Sequence, residues 1–369
     1  MTAQTNLEHP PSGPLPEPFT GGPHPGWAPH EWYTSEALLD IERRRLFDRS
    51  WALVGTADDL PEPGTYLTAT VGSSLLVILR DEAGGVRAFH NLCRHRGLPM
   101  VEGQGRCGRF MTCPYHQWSY DLGGALRKVP QAGEQFPGID PLRWGLEPAA
   151  AAEWHGMVFA NPDPQASPLP AALGILDRRL EAFLSGPLVE VAKVEYTARC
   201  NWKLLVENHV DVYHLWYVHS RSLSMYEHRS FEWELESDNW WSIEPLKDRS
   251  AAPDPGLEWI TVDEREGIGA HLLFPNLMLV TTGSYFGTYD AVPLTPDTTR
   301  LTLRIRSVAG ADGSALVDSV RSFLAEDVAV CERLQTAAGS SAFGYGPLAA
   351  THEEPVRAFH RAVAGRCHG

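Results

Sequence analysis

Cys93-Arg94-His95-Arg96-Gly97 and Cys113-Pro114-Tyr115-His116-Gln117-Trp118, with seventeen residues between His95 and Cys113, twice place a histidine at a short offset from a cysteine. Thiolates and imidazoles are the donors that zinc and iron–sulfur centres both accept. Zinc ribbons favour pairs of cysteines two residues apart. A C-x-H loop and a C-x₂-H loop instead suit a cluster with two cysteines on one iron and two histidines on the other. A Cys93–Cys113 disulfide would leave the paired histidines unexplained. On the residues alone, a Cys₂His₂ zinc site remains the rival.

The surroundings of these loops are strand-like. Tyr66–Val71, Leu75–Leu79 and Val86–Phe89 are rich in β-branched, aromatic and aliphatic residues, and the turn Asp81-Glu82-Ala83-Gly84-Gly85 separates the last two. We therefore place a small all-β domain over 51–161. Before it, 1–30 is a Pro/Gly-rich stretch expected to be unordered, and 31–50 carries a helix capped by Ser35, with Leu38, Leu39, Ile41, Leu46 and Phe47 on its apolar face. After it, Asn161-Pro162-Asp163-Pro164 opens a linker, and 162–369 forms a second domain. There the patterns predict helices over Leu173–Leu184, Asn201–Tyr217 and Ser314–Gln335, with strands at Val189–Thr197, Leu277–Thr282 and Leu301–Ile305. Strands and helices are segregated rather than alternating, which makes the class α+β.

Composition narrows the function. With 31 basic against 46 acidic residues the formal charge is −15, which argues against nucleic acid as a partner. No apolar run is long enough to span a membrane, and no secretory signal is legible. Six scattered cysteines do not form a disulfide framework, so a reducing cytoplasm is the expected compartment.

The second domain holds another constellation, Asp211-x₂-His214-x₄-His219. Asp211 and His214 share a helical face, whereas a regular helix would carry His219 off it. Both imidazoles reach one ion only if the helix loosens or ends near Tyr217. Taken alone, two histidines five apart are as readily structural.

His95-Arg96-Gly97 and Cys113–Trp118 closely resemble the two loops of Rieske proteins. Asn201-Trp202-Lys203, Glu207-Asn208, Asp211, Tyr213-His214 and His219 resemble the catalytic domain of Rieske non-haem iron oxygenases (the aromatic-ring-hydroxylating dioxygenase family). The resemblance runs from about Trp32 onward and implies an N-terminal all-β [2Fe–2S] domain. It also implies a C-terminal catalytic domain in which helices pack on an antiparallel sheet of the helix-grip type. By it, Cys93 and Cys113 bind one iron of the cluster and His95 and His116 the other. His214 and His219 become ligands of a mononuclear Fe(II). Ala325-Glu326-Asp327 resembles the family's closing motif and points to Asp327 as third ligand, with Glu326 and Asp318 as alternatives. Asn208 is expected close to the iron, while His209 and Cys107 are read as non-ligands.

The same resemblance implies a head-to-tail homotrimer in which His116 faces Asp211 of a neighbour, making Asp211 an electron bridge. It implies NAD(P)H electrons delivered by a separate flavin/iron–sulfur reductase or ferredoxin, since no dinucleotide motif is present. O₂ and a small organic substrate complete the reaction, hydroxylation of an aromatic or alicyclic compound. Pro61-Glu62-Pro63-Gly64 and Phe359-His360-Arg361 resemble relatives that oxidise choline-like or betaine-like amines; cis-dihydroxylation and demethylation use the same machinery, and a simple Rieske electron carrier is the non-enzymatic alternative. Trp216, Tyr217, Met225 and Tyr226 are expected in the pocket, with Phe274, Asn276, Met278, Tyr285 and Phe286 opposite.

Overall fold

The computed structural model describes residues 28–368 apart from 252–256, 341 and 345. Most of the stretch expected to be unordered, 1–27, lies outside the described residues. Order begins before residue 31: Ala28 is buried and Pro29 pairs with Gly344 in an isolated bridge. The chain forms two compact units, one over Arg43–Leu173 and one joining the segment up to Glu42 with 174–369.

The first unit contains ten strands: β1 (Ala52–Thr56), β2 (Thr65–Val71), β3 (Ser74–Arg80), β4 (Val86–His90), β5 (Gln104–Arg106), β6 (Phe110–Thr112), β7 (Ser119–Asp121), β8 (Leu126–Lys128), β9 (Pro148–Trp154) and β10 (Met157–Asn161). Seven form a sheet ordered β1-β10-β9-β4-β3-β2-β5, and β6-β7-β8 form a small second sheet. Cys93 and Cys113 sit in a core with Phe89, Met111, Trp118 and Tyr120. Both limits of this unit lie outside the expected 51–161, for reasons the hydrogen bonds make plain. Asp48 accepts from Ser73 N at 2.9 Å and Ser74 Oγ at 3.0 Å, tying 47–49 to the β2–β3 hairpin. Trp51 Nε1 donates to Ser167 O at 3.0 Å, which draws the Pro-rich stretch in as well.

The second unit is built on one antiparallel sheet of seven strands: β11 (Val189–Ala198), β12 (Glu232–Glu236), β13 (Asn239–Pro245), β14 (Gly267–Leu273), β15 (Leu277–Thr282), β16 (Phe286–Thr295) and β17 (Thr298–Ser307). From β12 to β17 it is a meander, and β11 adds antiparallel to β17. The helix Trp202–Val210 packs on β14, β16 and the long helix Gly313–Ala338. Side chains alternate along each strand, so Trp240, Ser242 and Glu244 of β13 share a face, as do Ile268 and Ala270 of β14.

Two expectations are corrected. The helix predicted over Asn201–Tyr217 stops at Val210: Asp211 turns extended (φ −81°, ψ 110°), and its Oδ1 takes Tyr213 N at 2.6 Å, which favours a turn over another helical residue. A one-turn 3₁₀ segment, Tyr213–Trp216, follows. Ser314–Gln335, read from the sequence as the final helix, is followed by another, Glu354–His368, which packs on Trp202–Val210.

Candidate metal centres

The two cysteine loops share one backbone design. Cys93 N donates to Leu98 O and Gly97 N returns to Cys93 O, both at 2.8 Å. Five residues apart in the same way, Cys113 N donates to Trp118 O (2.8 Å) and Gln117 N to Cys113 O (3.0 Å). The fourth residue after each cysteine is left-handed, Gly97 at φ 74° and Gln117 at φ 58°. A side chain is disfavoured there, which is why one loop uses glycine.

These turns bring the His95 and His116 rings to 4.5 Å between centroids, with Trp118 stacked on His95 at 5.0 Å. Neither Cys93 nor Cys113 is in a disulfide, so that reading of the pair falls. Tyr120 Oη stands 3.6 Å from Cys93 Sγ. Burial, then the charges of His116 and Arg96, hold His95 below its usual range, leaving the ring neutral as a ligand must be. His95 Nδ1 is buried without a hydrogen-bond partner among the described residues, an orphaned nitrogen that a metal bond would satisfy. Cys107 donates instead to Gly64 O at 3.3 Å, a packing contact.

Among the described residues, His214, His219 and Asp327 are the one set of three such side chains whose donor atoms all lie within 4.8 Å of one another. The four Cys/His donors of the first unit do not converge that tightly. A single tetrahedral zinc would require convergence, whereas a two-iron cluster spreads its ligands.

The early end of the Trp202–Val210 helix is what assembles the triad. His214 Nδ1 lies 2.6 Å from the Asp211 backbone oxygen and donates to it, turning Nε2 toward Asp327 Oδ1 at 3.4 Å. That Nε2 is buried and makes no hydrogen bond. His219 Nε2 is 2.8 Å from the same Asp327 oxygen, and Asn208 Nδ2 donates to it, also at 2.8 Å. Burial alone would lower His214, but the carboxylates of Asp211 and Asp327 lift it to about 10. Burial would raise Asp327; the imidazoles of His214 and His219 beside it carry it well below the usual carboxylate range. Two imidazole nitrogens that close on one buried carboxylate suit a divalent cation, and the unfilled positions of such a facial set are where O₂ chemistry occurs.

Glu326, the first alternative ligand, is on the far side of His219. Its Oε2 accepts from Nδ1 at 2.8 Å and from Ser222 Oγ at 2.5 Å, fixing the tautomer that presents Nε2 to the site. Asp318 is exposed and paired with Arg321. Glu326→Gln is expected to weaken iron retention roughly 10–100-fold, the usual effect of losing such an outer partner. Competition with a chelator measures it, and retention equal to the parent would remove Glu326 from this role.

A cavity of about 80 Å³ adjoins the triad. Its wall is the face of β13–β15 bearing Trp240, Glu244, Ile268, Ala270 and Val280, with Phe323, His228 and Tyr226 beside it. Of the residues expected there, only Tyr226 is present. Trp216 packs edge-on against His228 and His352, Tyr217 and Met225 are exposed, Asn276 is bonded to Asp290, and Phe274, Met278, Tyr285 and Phe286 are core. Glu244, missed from the sequence, is a carboxylate in the strand Trp240-Trp241-Ser242-Ile243-Glu244, an oddity that could have marked it. His209 lines the cavity too, but its Nε2 is engaged with His271 O at 2.9 Å, and burial lowers it to about 4. A second cavity, of about 300 Å³, is bounded by Glu207, Asp211, His214 and Glu353.

Comparison with known proteins agrees with this geometry. Residues 50–142 match the Rieske [2Fe–2S] domain, and 186–369 match the catalytic domain of the ring-hydroxylating alpha subunit. The chain is 28% identical over 348 residues to choline monooxygenase of Spinacia oleracea, covering 90% of this chain and 76% of that one. It is 35% identical over 187 residues to the biphenyl 2,3-dioxygenase alpha subunit of Rhodococcus jostii (strain RHA1), spanning 49% of this chain and 41% of that subunit's length. The fold is that of the quaternary ammonium Rieske monooxygenase CntA with L-carnitine (TM-score 0.78, 22% identity, 96% and 99% of the two chains). It is also that of naphthalene 1,2-dioxygenase with indole (TM-score 0.75, 22% identity, 93% and 92%). The two family matches fall in succession on the two units, each over the loops just described, and together they make this chain a member of the Rieske non-haem iron oxygenases, whose alpha subunits carry a [2Fe–2S] cluster and a mononuclear iron.

Proposed function

We propose that this chain is the oxygenase component of a multi-protein system that uses O₂ to hydroxylate a small organic substrate, with electrons from a separate NAD(P)H reductase, directly or through a ferredoxin. The observation that carries the reading is the convergence of His214, His219 and Asp327 beside a pocket. When bound, the mononuclear iron supplies O₂ activation and the cluster supplies single electrons. The chain's own side chains do the holding. Cys93 and Cys113 take one cluster iron and His95 and His116 the other, while His214, His219 and Asp327 take the mononuclear iron. Asn208 fixes Asp327, and the Asp211 carbonyl fixes His214.

Asp211 is the electron-bridge residue in this proposal, facing His116 of a neighbouring copy in a homotrimer. Support comes from its place on the wall of the second cavity, and from the exposed Tyr115 and Leu98 beside the cluster loops, apolar groups suited to docking. Ring dihydroxylation and amine hydroxylation or demethylation would use the same centres. The test is a single turnover under ¹⁸O₂, with the cluster reduced beforehand and a panel of small rings and amines offered. Label in one product is expected; cluster reoxidation with no labelled product across the panel would count against an oxygenase.

A further inference from the structure

The pocket beside the triad has a sign. Among the described residues no lysine or arginine lines it, while Glu244, Asp211 and Asp327 do, beside four histidines. Asp327 and the two histidines are committed to the metal, and Asp211 to the turn before His214. Glu244 has no such duty. It is buried on β13, opposite Ile268 of β14, and its Oε2 accepts from His228 Nδ1 at 2.6 Å. Among the described residues its other oxygen carries no hydrogen bond. A carboxylate withdrawn from water demands compensation, and one imidazole serves only one of its two oxygens. Its charge reaches the neighbouring ring as well: burial first, then Glu244, pushes Tyr226 up to about 12. Tyr226 and Trp240 add aromatic faces to the same cavity.

We infer that this pocket is built for a substrate with a cationic nitrogen, held by Glu244 and flanked by Tyr226 and Trp240, while its reacting carbon lies toward His214, His219 and Asp327. A cation satisfies the open carboxylate oxygen and the electron-rich ring faces together. An anion held at this end of the pocket would face the Glu244 carboxylate, and a neutral ring would leave to His228 alone the pairing of that carboxylate. The size of the cavity restricts the head to a small one. This inference rests on the oxygenase reading and narrows its substrate.

The test is calorimetric titration of the anaerobic iron-loaded protein with four probes of one shape: choline, protonated N,N-dimethylethanolamine, neutral 3,3-dimethylbutan-1-ol and anionic 3,3-dimethylbutanoate. At least one cation is expected to bind tenfold or more tighter than the alcohol, with the anion weakest. Preference for the protonated amine over choline would assign an N–H bond to the carboxylate; the reverse would assign charge and ring contact alone. Glu244→Gln, which keeps an acceptor for His228, should reduce the cation preference to less than threefold. The inference is overturned if neither cation binds at millimolar concentration, if the anion or alcohol binds as tightly, or if the variant keeps the preference. The wild-type ordering decides even if the variant does not fold. Iron and cluster content of the same samples report separately on the oxygenase reading.

Discussion

His214→Ala should abolish turnover while leaving the cluster spectrum intact. The side chain brings a buried Nε2 with no hydrogen bond to within 3.4 Å of Asp327 Oδ1, and no other imidazole stands ready to replace it. His209, five residues earlier, also lines the cavity but is engaged with the His271 carbonyl. Loss of a direct ligand should exceed the roughly 10–100-fold cost of losing an outer partner, so the mononuclear iron should be largely absent from the purified variant. Cys93, His95, Cys113 and His116 belong to the other unit and are untouched. The readouts are metal content, reduced-state EPR and product formation. Turnover near the parent's would remove His214 from the iron site, and a lost cluster signal would show that the substitution acts through folding.

The second large effect concerns stability. Lys203 and Glu42 are almost wholly buried, at 1% and 0% side-chain exposure, with Nζ 2.5 Å from Oε1. Trp202 Nε1 donates to the other Glu42 oxygen at 2.8 Å, and the Trp32 and Trp202 rings flank the ammonium at 5.1 and 5.3 Å. Glu42→Ala would leave a buried ammonium unpaired, costing about 3–5 kcal/mol. Replacing both partners, Glu42→Leu with Lys203→Met, should cost much less, because no charge is then stranded. Denaturant unfolding followed by the fluorescence of the catalytic unit measures both. A loss below about 1 kcal/mol for the single variant would show that water or another anion reaches Lys203. Because Lys203 lies in the first turn of the helix that leads to Asp211 and His214, iron occupancy should fall with stability in the single variant and recover in the double one.

What could be read in the sequence was chemistry that spacing constrains. Cys93, His95, Cys113 and His116 declare themselves because their donor types are specific and their offsets short, and both loops fold as a left-handed turn that Gly97 marks. His214 and His219 were legible only together with the neighbouring motif, since the spacing fits a metal only once the helix has ended. Asp211 ends it by capping its own turn, an effect of one side chain on a local backbone choice that apolar periodicity does not register. Asp327 emerged from its motif, but the opposite duty of the adjacent Glu326 depends on which side of His219 each carboxylate reaches. The pocket was the least legible part. Aromatic residue type suggested Tyr217 and Phe286, yet one is exposed and the other is core. The actual wall follows from strand register, which brings Glu244 beside Ile268 and Ala270 beside Val280. The Glu354–His368 helix was missed because its short apolar pattern contains Gly365 and follows a stretch without periodicity.

The central claim, one [2Fe–2S] cluster and one mononuclear iron in each chain, is tested most directly by iron and acid-labile sulfide analysis of anaerobically purified protein, with its reduced-state EPR spectrum. About three irons and two sulfides per chain, with the low average g-value of a histidine-ligated cluster, are expected. Zinc in place of iron, with no labile sulfide, would contradict the account at its root.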